Sequence, residues 1–547
     1  MSQQDSDYHS DGQEPSGAHE EVDAPTTTPS SGVYDEQDVI APTTTLSPHP
    51  VAELLPNVSY CVLSSPPWGE AIALGFQHYL VMLGQTVLIP SIVVPQMGGG
   101  EIEKAMVIQS LLLVAGINTM VQSFFGTRLP VVINASHTYA STTLSIVLAG
   151  RYNDIADPTE RFLRIMRATQ GAHMFASAIQ IIIGFSGSWR YVVRFLSPLS
   201  AVPLVALSGF GLQRFGFPML ARCAEIGLPE LAALVIFTQY LPHVRRGDRR
   251  ILVLDRFAII FSIVIIWTFA HVLTLAGAYK KSHTCRTDHA RVIDGAFWFS
   301  IPYPFQWGSP TFDMGDALAM TVASLVALVE STGGLIAISR YASATPLPPS
   351  VLSRGIGWEG IGNLVSGMIG TGVGISTSIE NAGLIGMTRV GSRRVVQISA
   401  GFMIFFSIFG KFGALFASIP ASIFAALYCI SFAYVGSGGL GLLQFCNLNS
   451  FRGKFILGFS IFMGFSIPQY FVEYGPMRTR ARLFNDMVNV PFSSGAFVAG
   501  LLAVVLDSVL LRRSDSRTHR DRGMHWWDRF TSMGADSRST EYYSLPF

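Results

Sequence analysis

Charge is scarce in this sequence. Only 13% of its 547 residues are Asp, Glu, Lys or Arg, against 49% apolar residues and a mean hydropathy of +0.40. A chain so poor in charge does not read as a string of soluble domains; it reads as an integral membrane protein. Cysteine is scarce as well. Of five, Cys61, Cys223, Cys429 and Cys446 lie in or beside apolar stretches and Cys285 alone falls in a clearly polar loop, so no disulfide framework can be read. The net charge of +1 says little about partners, because the charges sit in loops and tails, and it does not call for a nucleic acid. Neither a His-Glu-x-x-His motif nor an Asp pair stands in an apolar stretch, which argues against an intramembrane enzyme and leaves no metal or cofactor to expect. No cleavable signal peptide opens the chain either. Residues 1–55 are a polar tail whose "APTTTPSSG" and "APTTTLSPHP" have the composition of disorder, expected on the cytosolic side.

Long apolar runs are what the sequence has in quantity: Ala105 to Phe125, Phe257 to Ala276, Ala317 to Ile338, Phe455 to Ile467 and Gly495 to Leu506. Crossing a hydrocarbon core of ~30 Å takes about 20 apolar residues as a helix, and a bundle can hide shorter spans. About fourteen candidate spans fit between Trp68 and Leu511, the weakest near 129–148 and 358–388. The basic stretches "HVRRGDRR" (243–250) and "TRVGSRRV" (388–395) are then cytosolic, as are both termini, although Arg478, Arg480 and Arg482 fall on the opposite side.

The two halves of the chain resemble each other in pattern. "GFQHYLVMLG" (75–84) sets Gln77 and His78 in an apolar helix, and roughly 250 residues later "LVALVESTGGLIAI" (325–338) sets Glu330 likewise. A second pair follows: "PVVINASHTYASTTLSIVLAG" (130–150) and "GTGVGISTSIENAGLIG" (370–386) both begin extended, pass through small polar residues and only then become helical. Interrupted segments at matching places in two halves point to a transporter of inverted repeats with its site at their interface. A helix that starts in mid-membrane leaves N–H groups free at its positive end. Ser136 to Thr138 and Ser376 to Ser378 are placed to cap two such half-helices, with Gly370, Gly372 and Gly374 as hinges.

Charges inside the apolar segments are few enough to weigh singly. Glu330 is alone in its run, and an ionised carboxylate at a helix centre costs about 2.5–3.5 kcal/mol, so it should face a cavity or carry a proton rather than serve a structural ion pair. Glu380 follows the same logic, although its charge also suits the start of its own helix. Glu359 in "GWEGIG" reads equally as a proton-coupling group and as a membrane-boundary marker. His78 reads equally as a packing residue and a site residue; Gln77 reads as a helix contact; Asn381 should hold its half-helix or a neighbouring loop; and His137 competes with Tyr139 to present a ring. Arg389, Arg393 and Arg394 read as cytosolic anchors.

"ENAGLIGMTR" (380–389) resembles the defining motif of the nucleobase-ascorbate transporter (nucleobase:cation symporter-2) family. "GFQHYLVMLG", "FGTRLP", "IMRATQGA", "FLSPLSAVPL", "ALVESTG", "RYASAT", "SRRVVQISAGFMIFFSI" and "QFCNLNSFR" look like its plant members, over roughly residues 55–547. The resemblance implies an all-α polytopic membrane protein of about fourteen spans in two inverted seven-span repeats, with short extended segments in spans 3 and 10. It implies core parts at 68–188 and 315–418, gate parts at 189–280 and 419–511, an extramembrane loop at 281–314 and a cytosolic C-terminal tail at 512–547.

By position, the resemblance makes Glu330 and Glu380 the groups that hold the two edges of a nucleobase. His78 and Gln77 match the pair that supports the site; Ser136 and His137 match the element that offers backbone and a ring; Ser376 and Asn381 fall in the facing element; Gly383, Thr388 and Arg389 complete the motif. His137 departs from the usual Phe or Tyr, and Glu359 from the aspartate of many microbial relatives. The implied activity is proton-coupled symport of a xanthine, uric acid, uracil or adenine/guanine-type base, with sodium the lesser candidate for the coupling ion. An elevator-like motion and a homodimer in the plasma membrane are implied with it. Ascorbate transport is a variant that the animal carriers' Pro at the position of Glu380 disfavours. A channel or anion exchanger would call for cationic residues at the half-helices, where none stands, and a non-transporting receptor is the remaining alternative.

Overall fold

Helix carries almost the whole architecture. The computed structural model describes residues 55, 57–148, 151–152, 154–241, 245–246, 249–250, 256–278, 285–287, 298–411, 419–510 and 521–545. The N-terminal tail, save for its last residue, lies outside the described residues, as do parts of the basic stretch at 243–250, of the loop at 281–314 and of the C-terminal tail.

The first half contributes α1 (Trp68–Met97), α2 (Glu101–Phe124), β1 (Ile133–Ala135), α3 (His137–Val147), α4 (Pro158–Phe185), α5 (Ser188–Arg194), α6 (Pro198–Phe210), α7 (Phe217–Leu220), α8 (Ala224–Val235), the short strands β2 (Arg245–Arg246) and β3 (Arg249–Arg250), and α9 (Ala258–Leu275). The second contributes α10 (Met314–Tyr341), α11 (Pro349–Ile369), β4 (Ile375–Thr377), α12 (Ile379–Thr388), α13 (Arg393–Ile408), α14 (Ala421–Leu440), α15 (Phe451–Tyr474), α16 (Arg482–Phe492) and α17 (Gly495–Val509). Short helices α18 (Met524–Trp527) and α19 (Ser537–Tyr543) close the described chain.

Local chemistry sets many of these boundaries. Asp157 caps α4 ahead of Pro158 at the first helical position, Ser197 caps α6 ahead of Pro198, and Asp313 caps α10. Among the described residues, six helices are long and apolar enough to cross a membrane, or up to eight if each of two bent helix pairs is one span. Other elements are shorter or more polar: α4 carries Glu160, Arg161, Arg164 and Arg167 in its first turns and Gln170, His173 and Gln180 beyond them, while α3 and α12, with 11 and 10 residues, reach only about half the ~30 Å core at 1.5 Å per residue.

Two groups of helices pack together. In one, α2 lies on α13 and α4 on α11, while α1 lies on α13 and α10 on α4. In the other, α6 packs on α14 and α17, α8 on α14 and α9, and α15 on α17. The groups meet where α12 lies on α14 and where α10 lies on α6 and α16.

At the centre, β1 and β4 pair antiparallel, with Ile133 opposite Thr377, Asn134 opposite Ser376 and Ala135 opposite Ile375. Their bonding is two-fold in pattern. Ser136 N–H donates to the Gly374 carbonyl (3.0 Å) and Ser378 N–H to that of Val132 (2.9 Å). Ile133 N–H donates to Thr119 of α2 (2.9 Å) and Ile375 N–H to Asn363 of α11 (2.7 Å). Side chains thus satisfy backbone groups that a mid-membrane strand would otherwise leave bare. Gly370 and Gly372, at φ of 80° and 71°, turn the chain from α11 into β4.

One sequence reading needs correction: Cys223 and Cys285 form a disulfide that joins the segment before α8 to the loop after α9. Cys223 sits beside an apolar stretch, which hid the pairing.

Candidate functional site

Each strand is followed by one serine, Ser136 or Ser378, and then directly by a half-helix, so α3 and α12 begin side by side in the middle of the molecule. Between them and the second helix group lies a cavity of about 170 Å³. Its walls include Ser136, His137 and Thr138 of the first half-helix, Ser376 to Glu380 of the second, Gln85 of α1, Glu330 of α10, and Arg214, Ser493 and Ser494 from the opposing group.

Each carboxylate is held differently. Glu330 accepts from Thr138 Oγ1 (2.7 Å) on one side and from Ser494 Oγ (2.6 Å) on the other. Ser494 is also the N-cap of α17 and accepts from Phe497 N–H (3.3 Å), so the Glu330 bond joins the two helix groups through a helix start. Glu380 is more deeply buried. Its Oε1 accepts from Asn134 Nδ2 (2.9 Å) and its Oε2 from Gln85 Nε2 (2.9 Å), while Asn134 is fixed by donating to the Met82 carbonyl (2.8 Å) and accepting from Thr86 Oγ1 (2.8 Å). Carboxylate oxygens accept more than one bond each, so both groups keep lone pairs for a ligand.

Of the residues singled out from sequence, Glu330, Glu380, Ser136, His137 and Ser376 meet on the cavity wall. Gln77, His78, Asn381 and Glu359 lie behind it. Asn381 Nδ2 donates to the His78 carbonyl (2.9 Å) and lies 3.1 Å from His78 Nδ1, which pins the start of α12 to α1. Gln77 is buried in α1 with its Oε1 unpartnered among the described residues. Glu359 Oε1 accepts from Ser331 Oγ (3.1 Å), and Ser331 Oγ in turn accepts from Thr377 N–H (3.2 Å), so this buried carboxylate reaches β4 through one hydroxyl.

The remaining motif residues act on the frame. A side chain at Gly383 would collide with the backbone carbonyl of Ser431, which is how α12 comes so close to α14. Thr388 donates to the Leu384 carbonyl (2.8 Å), and Arg389, at a φ of 57°, ends α12.

Capping differs between the half-helices. Ser378 caps α12 by accepting from Asn381 N–H (3.3 Å), as its sequence suggests. The expected cap from Ser136 is not made: its side chain lies on the cavity wall, and the first N–H groups of α3 have no side-chain cap. The His137 ring stacks on Phe215 of the opposing group (centroids 3.9 Å apart, 16° between planes). Arg214 stands over the same Phe215 ring (4.8 Å) and lines the cavity. A cation is therefore present at the site after all. It comes from the opposing group, not from a half-helix.

Sequence reading missed Gln85, Asn134, Arg214 and Ser494, and took Thr138 for a helix cap where it is a donor to Glu330. Two had a readable signal: Gln85 stands two turns after His78 on one helix, and "FSSGAF" sets a serine at a helix start.

Comparison with known proteins agrees with this architecture. Residues 69–473 match the model of a permease family. Across 92% of this chain and 95% of the relative, the sequence is 65% identical to nucleobase-ascorbate transporter 7 of Arabidopsis thaliana. It is likewise 65% identical to nucleobase-ascorbate transporter 6 of the same plant, over 91% and 96% of the two chains. Among solved structures, SLC26A9 shares the fold at a TM-score of 0.50 and 10% identity, over 82% of this chain and 66% of that one. By these relatives the chain is a membrane transporter, not an enzyme. The chain belongs to the permease family that holds the plant nucleobase-ascorbate transporters.

Proposed function

We propose that this protein carries nucleobases across the plasma membrane in symport with protons. The observation that carries the reading is the pair of carboxylates, Glu330 and Glu380, on one polar cavity between two half-helix starts. A planar base offers adjacent N–H and C=O groups along its edges. Two carboxylates take the N–H groups, and the uncapped N–H groups of α3 suit a carbonyl oxygen. Ser136 and Ser376 add hydroxyls, and His137 presents a ring face beside them. Gln77, His78 and Asn381 support the site from behind.

The two-fold bonding of β1 and β4, with the matched packing of α2 on α13 and α4 on α11, supports fourteen spans in two inverted repeats. In this reading the first helix group is a core that slides against the second, the gate, and the protein works as a homodimer. Glu330 must be protonated or substrate-bound before the core moves, because carrying a bare carboxylate past the gate is costly. Glu359 is the second group of the proton route, through Ser331. The Cys223–Cys285 disulfide supports the orientation: disulfides persist outside the cytosol, which leaves the tail-bearing face inside. Arg214 favours one further reading, an anionic cargo such as ascorbate.

The test is uptake of labelled xanthine into cells lacking their own carriers, challenged with unlabelled uric acid, uracil, adenine and ascorbate. Competition by bases and not by ascorbate is expected. Saturable uptake inhibited by ascorbate alone would overturn the nucleobase assignment.

A further inference from the structure

The last described stretch of chain, 521–545, touches both helix groups. At its start, Arg522 Nε donates to Asp507 Oδ2 of α17 (2.9 Å), the Arg522 carbonyl accepts from Leu199 N–H of α6 (3.2 Å), and Asp521 accepts from Asn447 (2.7 Å). Asp507 is fully buried and also accepts from Ser197 Oγ (2.7 Å), so this anchor is built into the second group.

At the other end, three arginines of the first group converge on consecutive tail carbonyls. Arg393 donates to that of Tyr542 (3.1 Å), Arg354 to that of Tyr543 (2.7 Å), and Arg128 to that of Ser544. No carboxylate among the described residues pairs with any of these three arginines. The Tyr543 ring is fully buried and its hydroxyl donates to the Thr345 carbonyl, while the hydroxyls of Thr345 and Ser539 lie 2.9 Å apart. The arginines are themselves braced: Arg354 Nε donates to the Gly126 carbonyl (2.8 Å) and Arg393 Nε to that of Arg128 (2.7 Å).

We propose that residues 521–545 are a strap that ties the core to the gate in the resting protein and must let go of the core in every transport cycle. The asymmetry of its ends assigns the moving one. The gate end rests on a buried ion pair; at the core end the three arginines hold neutral carbonyls, which guanidinium groups release into water at less cost than a carboxylate partner, and the buried Tyr543 ring is what release must uncover. Release leaves three unpaired cations facing water, a state that draws the strap back and resets the carrier. The proposal rests on the reading that the core moves against the gate.

A reversible cross-link tests it in the full-length protein in proteoliposomes, with Cys61, Cys429 and Cys446 changed to Ser. Thr345→Cys with Ser539→Cys joins strap to core; Asn447→Cys with Asp521→Cys joins strap to gate. Oxidation of the first pair is expected to stop uptake in proportion to the cross-linked fraction, with recovery on reduction, and oxidation of the second to leave uptake unchanged. Full uptake at complete Thr345–Ser539 cross-linking would overturn the strap, and so would failure of that cross-link to form. Lack of base uptake before oxidation, with the Cys223–Cys285 disulfide intact, would count instead against the transport reading on which the strap rests.

Discussion

Replacing Gln85 by Leu asks how much the carriage of a base depends on the posture of Glu380. Gln85 Nε2 lies 2.9 Å from Glu380 Oε2, and Asn134 holds the other oxygen at the same distance. Leucine has nearly the volume of glutamine and no donor, so the change removes one bond to a buried carboxylate and little else. Hydrogen bonds to charged groups contribute about 1.5–3 kcal/mol, which is roughly 10- to 150-fold in an equilibrium constant. The apparent affinity for the base should therefore weaken by at least about tenfold, because a carboxylate freed on one side turns away from the ligand or takes up water. A double-mutant cycle with Glu380→Gln separates posture from shape: with no carboxylate to hold, the cost of Gln85→Leu should fall to the ~0.5–1.5 kcal/mol of a neutral bond. Initial rates over a range of xanthine concentrations, normalised to surface protein, give all four corners. Additive effects, or a KM within about twofold of wild type for Gln85→Leu, would refute the reasoning.

Three further perturbations probe other parts of the structure. Ser494→Ala removes the 2.6 Å donor to Glu330 and the cap of α17, and should change the maximal rate more than KM; kinetics altered in KM alone would separate that bond from core movement. Gly383→Ala drives a methyl group into the Ser431 carbonyl and should cost about 1–3 kcal/mol, seen as a lowered melting temperature in detergent, whereas an unchanged melting temperature would mean α12 and α14 can part freely. Cys223→Ser opens a loop of 62 residues, for which chain entropy gives about 4 kcal/mol, and should leave Cys285 reactive to a membrane-impermeant maleimide added outside intact cells; labelling only after permeabilisation would reverse the orientation.

Glu330, Glu380 and the two extended-then-helical segments were legible because each breaks a strong local rule. A lone carboxylate in an apolar run, and a Ser, Thr and Gly stretch where a helix should continue, have few explanations inside a membrane. Gln85 and Asn134 break no such rule, since an uncharged amide in a buried helix or strand has many partners to choose from. Arg214 was hidden for another reason: it belongs to a short turn between α6 and α7, and only folding brings that turn against α3. The role of Ser136 was misjudged from its position alone. A serine at a helix start caps by default, but here its side chain lies on the cavity wall instead. The tail contact also lay beyond sequence reading, because Arg128, Arg354 and Arg393 are far apart in the chain and each alone looks like a membrane-edge anchor.

In the proposed cycle a base and a proton share Glu330. This is tested most directly by uptake of labelled xanthine, uric acid, uracil, adenine and ascorbate at acidic and at neutral pH, in cells without their own carriers, for wild type and Glu330→Gln at equal surface expression. Saturable base uptake that rises in acid and collapses in the variant is expected. Uptake independent of pH and undiminished in Glu330→Gln would contradict it.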